Sequence, residues 1–191
     1  MNLLRKILIV LSAAICSTTN IHAFDEINVK TNALYDATMS LSLGAEMQVD
    51  YQWTVELTGS YNGWDVFGNK WRHLIIQPEA RYWLNDDELE GSFFAVNVLF
   101  GQVNVGNFSM DLFGDKLKNS RVQGWMTGAG LGYGYAWWLS DYWKLEFELT
   151  AGVMHFKGDR YSALTGHKIQ RNRTMTKFAP TKVALSVVYV F

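Results

Sequence analysis

Cysteine and proline are nearly missing from this chain of 191 residues, which has one Cys and two Pro. A single cysteine excludes an intramolecular disulfide framework. So few prolines leave room for long extended strands, because proline removes a donor from a strand ladder. Long apolar runs are missing as well: no stretch reaches the ~20 apolar residues that a membrane-spanning helix needs. Nor is one sign of charge in excess. The 17 Lys and Arg against 18 Asp and Glu leave no electrostatic footprint for nucleic acid.

Aromatic residues and glycine are plentiful. Aromatics make up 15% of the chain, with eight Trp, and there are 16 Gly. Hydrophobic residues reach 49%, yet the mean hydropathy is only -0.04. Apolar and polar residues are therefore interleaved, which suits a β-protein with one apolar surface.

The first 23 residues read as a secretory signal peptide. Arg5 and Lys6 supply the charged start, Ile7 to Ile15 a short apolar core, and Ile21-His22-Ala23 a cleavage site. Cys16 lies inside this leader. A lipoprotein cleavage before Cys16 would need a small preceding residue, and Ile15 is bulky. Removing Arg5 and Lys6 leaves 15 basic against 18 acidic residues, a net charge of -3.

From residue 24 onward the chain alternates apolar and polar positions, the period of a strand with unlike faces. Eight such segments can be counted. The first sets Ile27, Val29, Thr31, Ala33 and Tyr35 against polar neighbours, and the second runs Leu41 to Val49. The third and fourth cover about Thr54 to Tyr61 and His73 to Tyr82. The fifth runs from about Ser92 to Asn104 and the sixth from about Val122 to Trp138. The seventh covers Leu145 to Val153, and the last runs from Lys182 to Phe191. Most meet the ~9–11 residues a tilted strand needs to cross a bilayer. The expected fold is thus all-β: an eight-stranded antiparallel transmembrane β-barrel, an up-and-down meander over residues 24–191.

Two further patterns support a barrel over a soluble sandwich. Links at Tyr51 to Trp53, Asn85 to Gly91 and Ser140 to Tyr142 are short, whereas Gly63 to Trp71, Val105 to Arg121 and Lys157 to Lys177 are longer. Short periplasmic turns opposite longer external loops are the outer-membrane pattern, with both termini periplasmic. All eight Trp fall near expected strand ends, where an amphipathic ring can lie at headgroup level. The final strand carries Tyr189 and Phe191 on one face, the kind of terminal aromatic that outer-membrane assembly machinery recognises.

Several stretches resemble a Bacteroidales family of small outer-membrane proteins of unknown function. They are TNALYD (Thr31 to Asp36), LSLGAEMQV (Leu41 to Val49), YNGWDVFGNKWRHLIIQPEARYWL (Tyr61 to Leu84), GYGYAWWLSDYWKLE (Gly132 to Glu146) and APTKVALSVVYVF (Ala179 to Phe191). The resemblance implies a barrel often encoded near fimbrial or surface-adhesin genes, and no established activity. Members often carry a cysteine pair in the last long loop. Residues Tyr161 to Asn172 have none, so no disulfide or metal role carries over.

The alternation points Lys30, Glu46, Glu56, Glu79, Arg81, Glu146, Glu148 and Lys182 inward. An eight-stranded interior is only just wide enough for its own side chains. Such charges must pair or hydrogen-bond, because an isolated buried charge is very costly. They read as a structural ion network that plugs a polar lumen; the excess of carboxylates also admits protonated groups or a held cation. Inward glycines at Gly128, Gly130, Gly132 and Gly134 read as space for bulky side chains opposite, with a ligand cavity as the alternative.

The last long loop holds Lys157, Arg160, Lys168, Arg171, Arg173 and Lys177 against Asp159, or +5, whereas Asp86, Asp87, Glu88 and Glu90 make a periplasmic turn acidic. A basic outer rim suits lipopolysaccharide phosphates. The expected function is a non-enzymatic barrel whose external loops contact lipopolysaccharide or a surface or fimbrial partner, with no cofactor and no metal. Two alternatives stand beside it. One is a lipid A-modifying enzyme using His155, which would need a Ser and a carboxylate in reach, whereas position 157 is Lys and Ser162 lies in the loop beyond. The other is a pore, which the inward side chains argue against. His73 is expected inward and His167 in a loop, and no metal-ligand spacing occurs.

Overall fold

Strands with unlike faces, two of whose links are two-residue turns at Tyr51-Gln52 and Asp141-Tyr142, set the architecture. The computed structural model describes residues 27–66, 69–85, 89–106, 120–162 and 165–191. The leader assignment, including Arg5, Lys6, Cys16 and Ala23, lies outside the described residues. So do Asp86, Asp87 and Glu88, and most of the link between Val105 and Arg121.

The strands are β1 (Ile27–Asn32), β2 (Leu41–Asp50), β3 (Trp53–Asn62), β4 (Asn69–Trp83), β5 (Gly91–Gly106), β6 (Ser120–Ser140), β7 (Trp143–Ser162) and β8 (Lys168–Val190). A two-residue strand, Asp65–Val66, folds back on the start of β4. All eight long strands lie in one antiparallel sheet, each paired with its neighbours in sequence. Two of the pairings decide the shape of the ladder. β3 pairs with β4 from Trp53↔Tyr82 to Asn62↔His73, and β1 pairs with β8 from Asn28↔Val190 to Asn32↔Ser186. Every long strand therefore has two hydrogen-bonded neighbours.

One face of this sheet is buried and the other exposed, in register with the alternation. On β4 the residues Ile75, Gln77, Glu79, Arg81 and Trp83 are buried, while Leu74 and Ile76 are exposed. On β5 Phe93, Ala95, Asn97 and Leu99 are buried, while Phe94, Val96, Val98 and Phe100 are exposed. The chemistry is reversed relative to a water-soluble core: Leu43 and Leu131 are each 67% exposed, and Arg81 is 1% exposed.

Several expectations are corrected. The first strand does not continue to Tyr35; it stops at Asn32, and α1 (Ala33–Ala37) follows. The Asn32 side chain accepts a hydrogen bond from the Leu34 N–H at 3.1 Å, which caps the helix start. Thr31 donates to Asp36 at 2.6 Å, tying the turn back to β1. The supposed last loop is mostly strand: β7 continues to Ser162 and β8 begins at Lys168. Both faces of this hairpin are polar or solvated, so it lacks the apolar alternation that marks a strand. At 20 and 23 residues, β7 and β8 are about twice as long as a bilayer crossing needs.

A bulge shifts the pairing of β8 between Thr150↔Lys182 and Ala151↔Pro180. As a result, Thr181 and Lys182 are both buried. Pro180 sits at this irregularity, where the missing N–H costs no ladder bond.

Candidate functional site

The inner face is layered, and the layers follow from which residue each strand contributes at each height. Nearest the short turns, Trp83, Leu89, Phe93, Ala95 and Ala136 pack into an apolar cluster. Trp83 and Phe93 ring centroids are 4.7 Å apart, and the Trp83 indole N–H donates to Thr54 Oγ1 at 3.0 Å. Gly134 makes this layer possible, because a Cβ there would fall on the Phe93 ring. That fits the expectation that the inward glycines make room for large side chains.

The next layer is ionic and contains all eight charged residues expected to face inward. Each of them is buried. Lys30 Nζ lies 2.5 Å from Glu46, 3.1 Å from Glu56 and 2.7 Å from Glu146. Lys182 Nζ lies 2.8 Å from Glu56, 3.0 Å from Glu79 and 3.0 Å from Glu148. Arg81 lies between the lysines and reaches all five carboxylates. Its guanidinium is 3.1 Å from Glu46, 2.5 Å from Glu56, 2.7 Å from Glu79, 3.0 Å from Glu146 and 2.6 Å from Glu148. Glu56 is thus shared by all three cations, and Thr58 donates to it as well.

Such carboxylate groupings could hold a metal ion. Oxygens of Glu46, Glu56 and Glu146, and of Glu56, Glu79 and Glu148, lie within 4.8 Å of one another. Each triple, however, already surrounds an ammonium: Lys30 in the first and Lys182 in the second. The chain supplies its own cations at the positions a divalent ion would take. Two oxygens, Glu146 Oε1 and Glu148 Oε1, are buried without a hydrogen-bond partner.

Above the ions comes an uncharged polar layer. Gln77 donates to the Thr181 carbonyl at 2.9 Å, Asn97 to Thr150 at 2.7 Å, and the Thr150 and Thr181 hydroxyls are 2.8 Å apart. The bulge in β8 is what brings Thr181 to this layer beside Lys182. Toward the loops, Ile75, Leu99, Val103, Val105, Val122, Met126 and Phe156 form a second apolar cluster, with Trp71 packed on it. The interior is therefore not polar throughout, as expected from the charges; apolar layers lie on both sides of the ion network. The reason is β5, whose two faces are both largely apolar.

The tryptophan expectation needs the same correction. Trp83 is buried, Trp71 packs on the inner apolar cluster and Trp138 lies under the Lys144 ammonium at 4.0 Å. Trp53, Trp64, Trp125, Trp137 and Trp143 are exposed. Sequence reasoning also passed over Lys144, which is buried and shares the parity of Glu146 and Glu148. Among the described residues, five buried carboxylates then face four buried Lys and Arg cations.

The basic residues expected to form one loop cluster are distributed along the β7–β8 hairpin. Lys168 lies 2.6 Å from Asp159, and this bond holds the Asp159 carboxyl below the usual carboxylate range while raising the Lys168 ammonium. Arg160 donates to Ser120 at 3.1 Å. Lys157 and Lys177 stand on opposite faces, since Lys157 pairs in register with Thr174 and Met154 with Lys177. Arg171 is exposed, and Arg173 is half-buried opposite Gly158.

His155 faces outward with its Nδ1 2.9 Å from Thr176 Oγ1. Ser162 is seven residues further along the same strand, roughly 23 Å away at strand rise. No serine or carboxylate among the described residues is brought to His155. At the turn end, Tyr189 contacts Trp143 at 5.1 Å and Phe191 at 4.8 Å between ring centroids, so both expected assembly-signal residues lie in one aromatic group.

An all-β protein of eight antiparallel strands, with an ionic layer on its buried face and an apolar exposed face, is the class these features define. Within that class the chain belongs to a family described as protein of unknown function (DUF3575), whose model matches residues 7–191. No curated protein and no solved structure matches it.

Proposed function

We propose that the strands close into an outer-membrane β-barrel that is non-enzymatic and plugged, and whose external loops contact lipopolysaccharide. The observation that carries this reading is the reversed partition. Leu43, Leu57, Val96, Phe100, Leu131 and Val153 are exposed, while three cations and five carboxylates are in mutual contact on the other face. In water this arrangement loses twice, by exposing apolar area and by desolvating charge. In a bilayer the apolar face meets lipid, and a closed ladder leaves no strand edge unpaired. Trp53, Trp137, Trp143 and Tyr142 at the turn end, and Tyr61, Trp64 and Trp125 at the loop end, then lie at the two interfaces.

On this reading residues 1–23 are a cleaved leader and both ends of the barrel are periplasmic. The long β7–β8 hairpin stands outside the cell, carrying its basic residues toward lipid phosphates. The surface or fimbrial partner implied by the family resemblance would meet the same external segments. The Tyr189 and Phe191 pair is the signal read by the assembly machinery. Layers of packed side chains across the interior argue against a water-filled pore.

The test is electrophoresis of membrane-extracted mature protein with and without boiling, in fractionated cells. A band that tracks with the outer membrane and shifts on boiling is expected. A soluble periplasmic protein whose mobility ignores boiling would end the proposal.

A further inference from the structure

At the loop end of β3–β6 the outward face changes from apolar to polar, and it does so across a groove of about 460 Å³. Three rows of the register describe it. Lowest are Ile76, Phe100 and Thr127, paired in that order across β4, β5 and β6. The middle row runs Tyr61, Leu74, Gln102, Trp125 and Lys157 across five strands. The upper row runs Arg72, Asn104, Gln123 and Asp159. Tyr61 and Trp125 are exposed and form the two walls of the groove, with Leu74 and Gln102 between them.

We propose that this groove binds a phosphorylated glycolipid of the outer leaflet, one molecule lying along the outside of the barrel. The inference rests on the membrane-barrel reading and gives its lipid contact a defined place, on β3–β6 and the Lys157 edge of the β7–β8 hairpin. Each part of such a lipid has a counterpart in the rows. Acyl chains continue down the apolar face past Ile76 and Phe100. Sugar hydroxyls meet the amides of Gln102, Asn104 and Gln123, which offer both donors and acceptors. Tyr61 and Trp125 stand at the level where amphipathic rings favour the boundary of lipid and water.

Phosphate has its own counterpart. Arg72 Nε donates to Asp65 at 2.9 Å, which fixes the guanidinium and leaves its two amino groups as donors. Lys157 stands beside Trp125 on the other side of the groove. Among the described residues the nearby acids are already matched, Asp65 by Arg72 and Asp159 by Lys168. With Arg121, held over the Tyr161 ring at 4.9 Å, the described residues of the rim keep a positive balance. Charge, amide content and apolar continuity all select the same kind of molecule.

The experiment uses purified mature protein in detergent, each variant first checked for the boiling shift. Binding of bisphosphorylated lipid A, its dephosphorylated form and phosphatidylglycerol is then measured by native mass spectrometry. Bisphosphorylated lipid A is expected to bind wild type roughly tenfold or more tightly than the dephosphorylated form, since charge-assisted hydrogen bonds are lost with the phosphates. The double variant Arg72→Gln/Lys157→Gln should lose that preference, and Trp125→Ala should weaken both lipid A forms. Arg171→Gln, which removes one hairpin charge outside the groove, should weaken lipid A binding less than the groove double variant does.

Equal binding of the two lipid A forms to wild type would overturn the phosphate assignment without any mutation. Phosphatidylglycerol binding as tightly as lipid A would overturn the glycolipid. Loss of binding in Arg171→Gln with the groove variants unaffected would move the contact to the hairpin and refute the groove, leaving the barrel intact. Absence of the boiling shift in wild type would remove the barrel and the groove together.

Discussion

Arg81→Met is the substitution that tests the ion network most directly. Methionine keeps most of the length of the side chain and removes the guanidinium that touches Glu46, Glu56, Glu79, Glu146 and Glu148. Five carboxylates would then share two lysine ammonium groups, Lys30 and Lys182. Deleting one partner of a buried ion pair costs about 3–5 kcal/mol, because the remaining charge stays desolvated. The contact of Arg81 with the Phe93 ring, 4.5 Å to the centroid, adds about 0.5–2 kcal/mol. At an m-value of about 4 kcal/mol per M in guanidinium, the unfolding midpoint should fall by about 1–2 M. The measurement is reversible unfolding from detergent or vesicles, followed by tryptophan fluorescence, with Trp83 beside the lost group. Adding Glu148→Gln to Arg81→Met should restore part of the loss. A midpoint within ~0.2 M of wild type, or strictly additive effects in the double variant, would refute the view that Arg81 holds the layer together.

Glu148→Gln alone is expected to change stability by less than about 1 kcal/mol or to raise it, since carboxylates outnumber cations and Glu148 Oε1 has no partner. Glu56→Gln, by contrast, weakens contacts to Lys30, Arg81 and Lys182 at once and should cost several times more in the same unfolding assay. Gly134→Ala places a Cβ against the Phe93 ring and should cost about 1–3 kcal/mol by overpacking, read as a lower temperature for loss of the fast-migrating unboiled band. Asp159 should titrate below the ordinary ~3.9 of aspartate because of its bond to Lys168. The sign follows from the depressed value: the hairpin contact is intact at neutral pH and is lost as pH falls through that value. A carboxyl titration by NMR should therefore move up toward the ordinary value in Lys168→Ala.

Much of this was legible in the sequence wherever the two faces of a strand differ chemically. Glu46, Glu56, Glu79 and Arg81 alternate with Ala45, Met47, Val55, Leu57 and Ala80, so parity alone sends the charges to one side. It failed where the faces are alike. In β5, Phe93, Ala95 and Leu99 are buried while Phe94, Val96 and Val98 are exposed, and no alternation of polarity tells one set from the other. The apolar inner layers, Trp83 among them, were hidden for that reason. The β7–β8 hairpin was missed on the opposite ground, since polar residues on both faces look like a loop. Asn32 ended β1 earlier than the pattern implied, through a side-chain bond to Leu34 that competes with the strand ladder. The groove across Tyr61, Gln102 and Trp125 depends on register between strands far apart in sequence, which periodicity along any one strand does not contain.

Register is also where the ion layer does something the apolar face cannot. A slip of one residue between neighbouring strands exchanges inside and outside and is strongly opposed. A slip of two residues keeps every side chain on its own face, so the apolar surface barely distinguishes it from the native pairing. The ionic layer does distinguish it. Sliding β4 by two places brings Glu79 or Trp83 to the position of Arg81, and the five carboxylates lose their common partner. Lys30 and Lys182 arrive from β1 and β8, Glu46 and Glu56 from β2 and β3, and Glu146 and Glu148 from β7. Strands at both sides of β4 are thereby held to one height. The same Arg81→Met protein therefore carries a second readout: beyond lower stability, refolding should give more than one compact unboiled band, where wild type gives one. A single native-like band from destabilised Arg81→Met protein would assign the network to stability alone and leave register to the turns at Tyr51-Gln52 and Asp141-Tyr142.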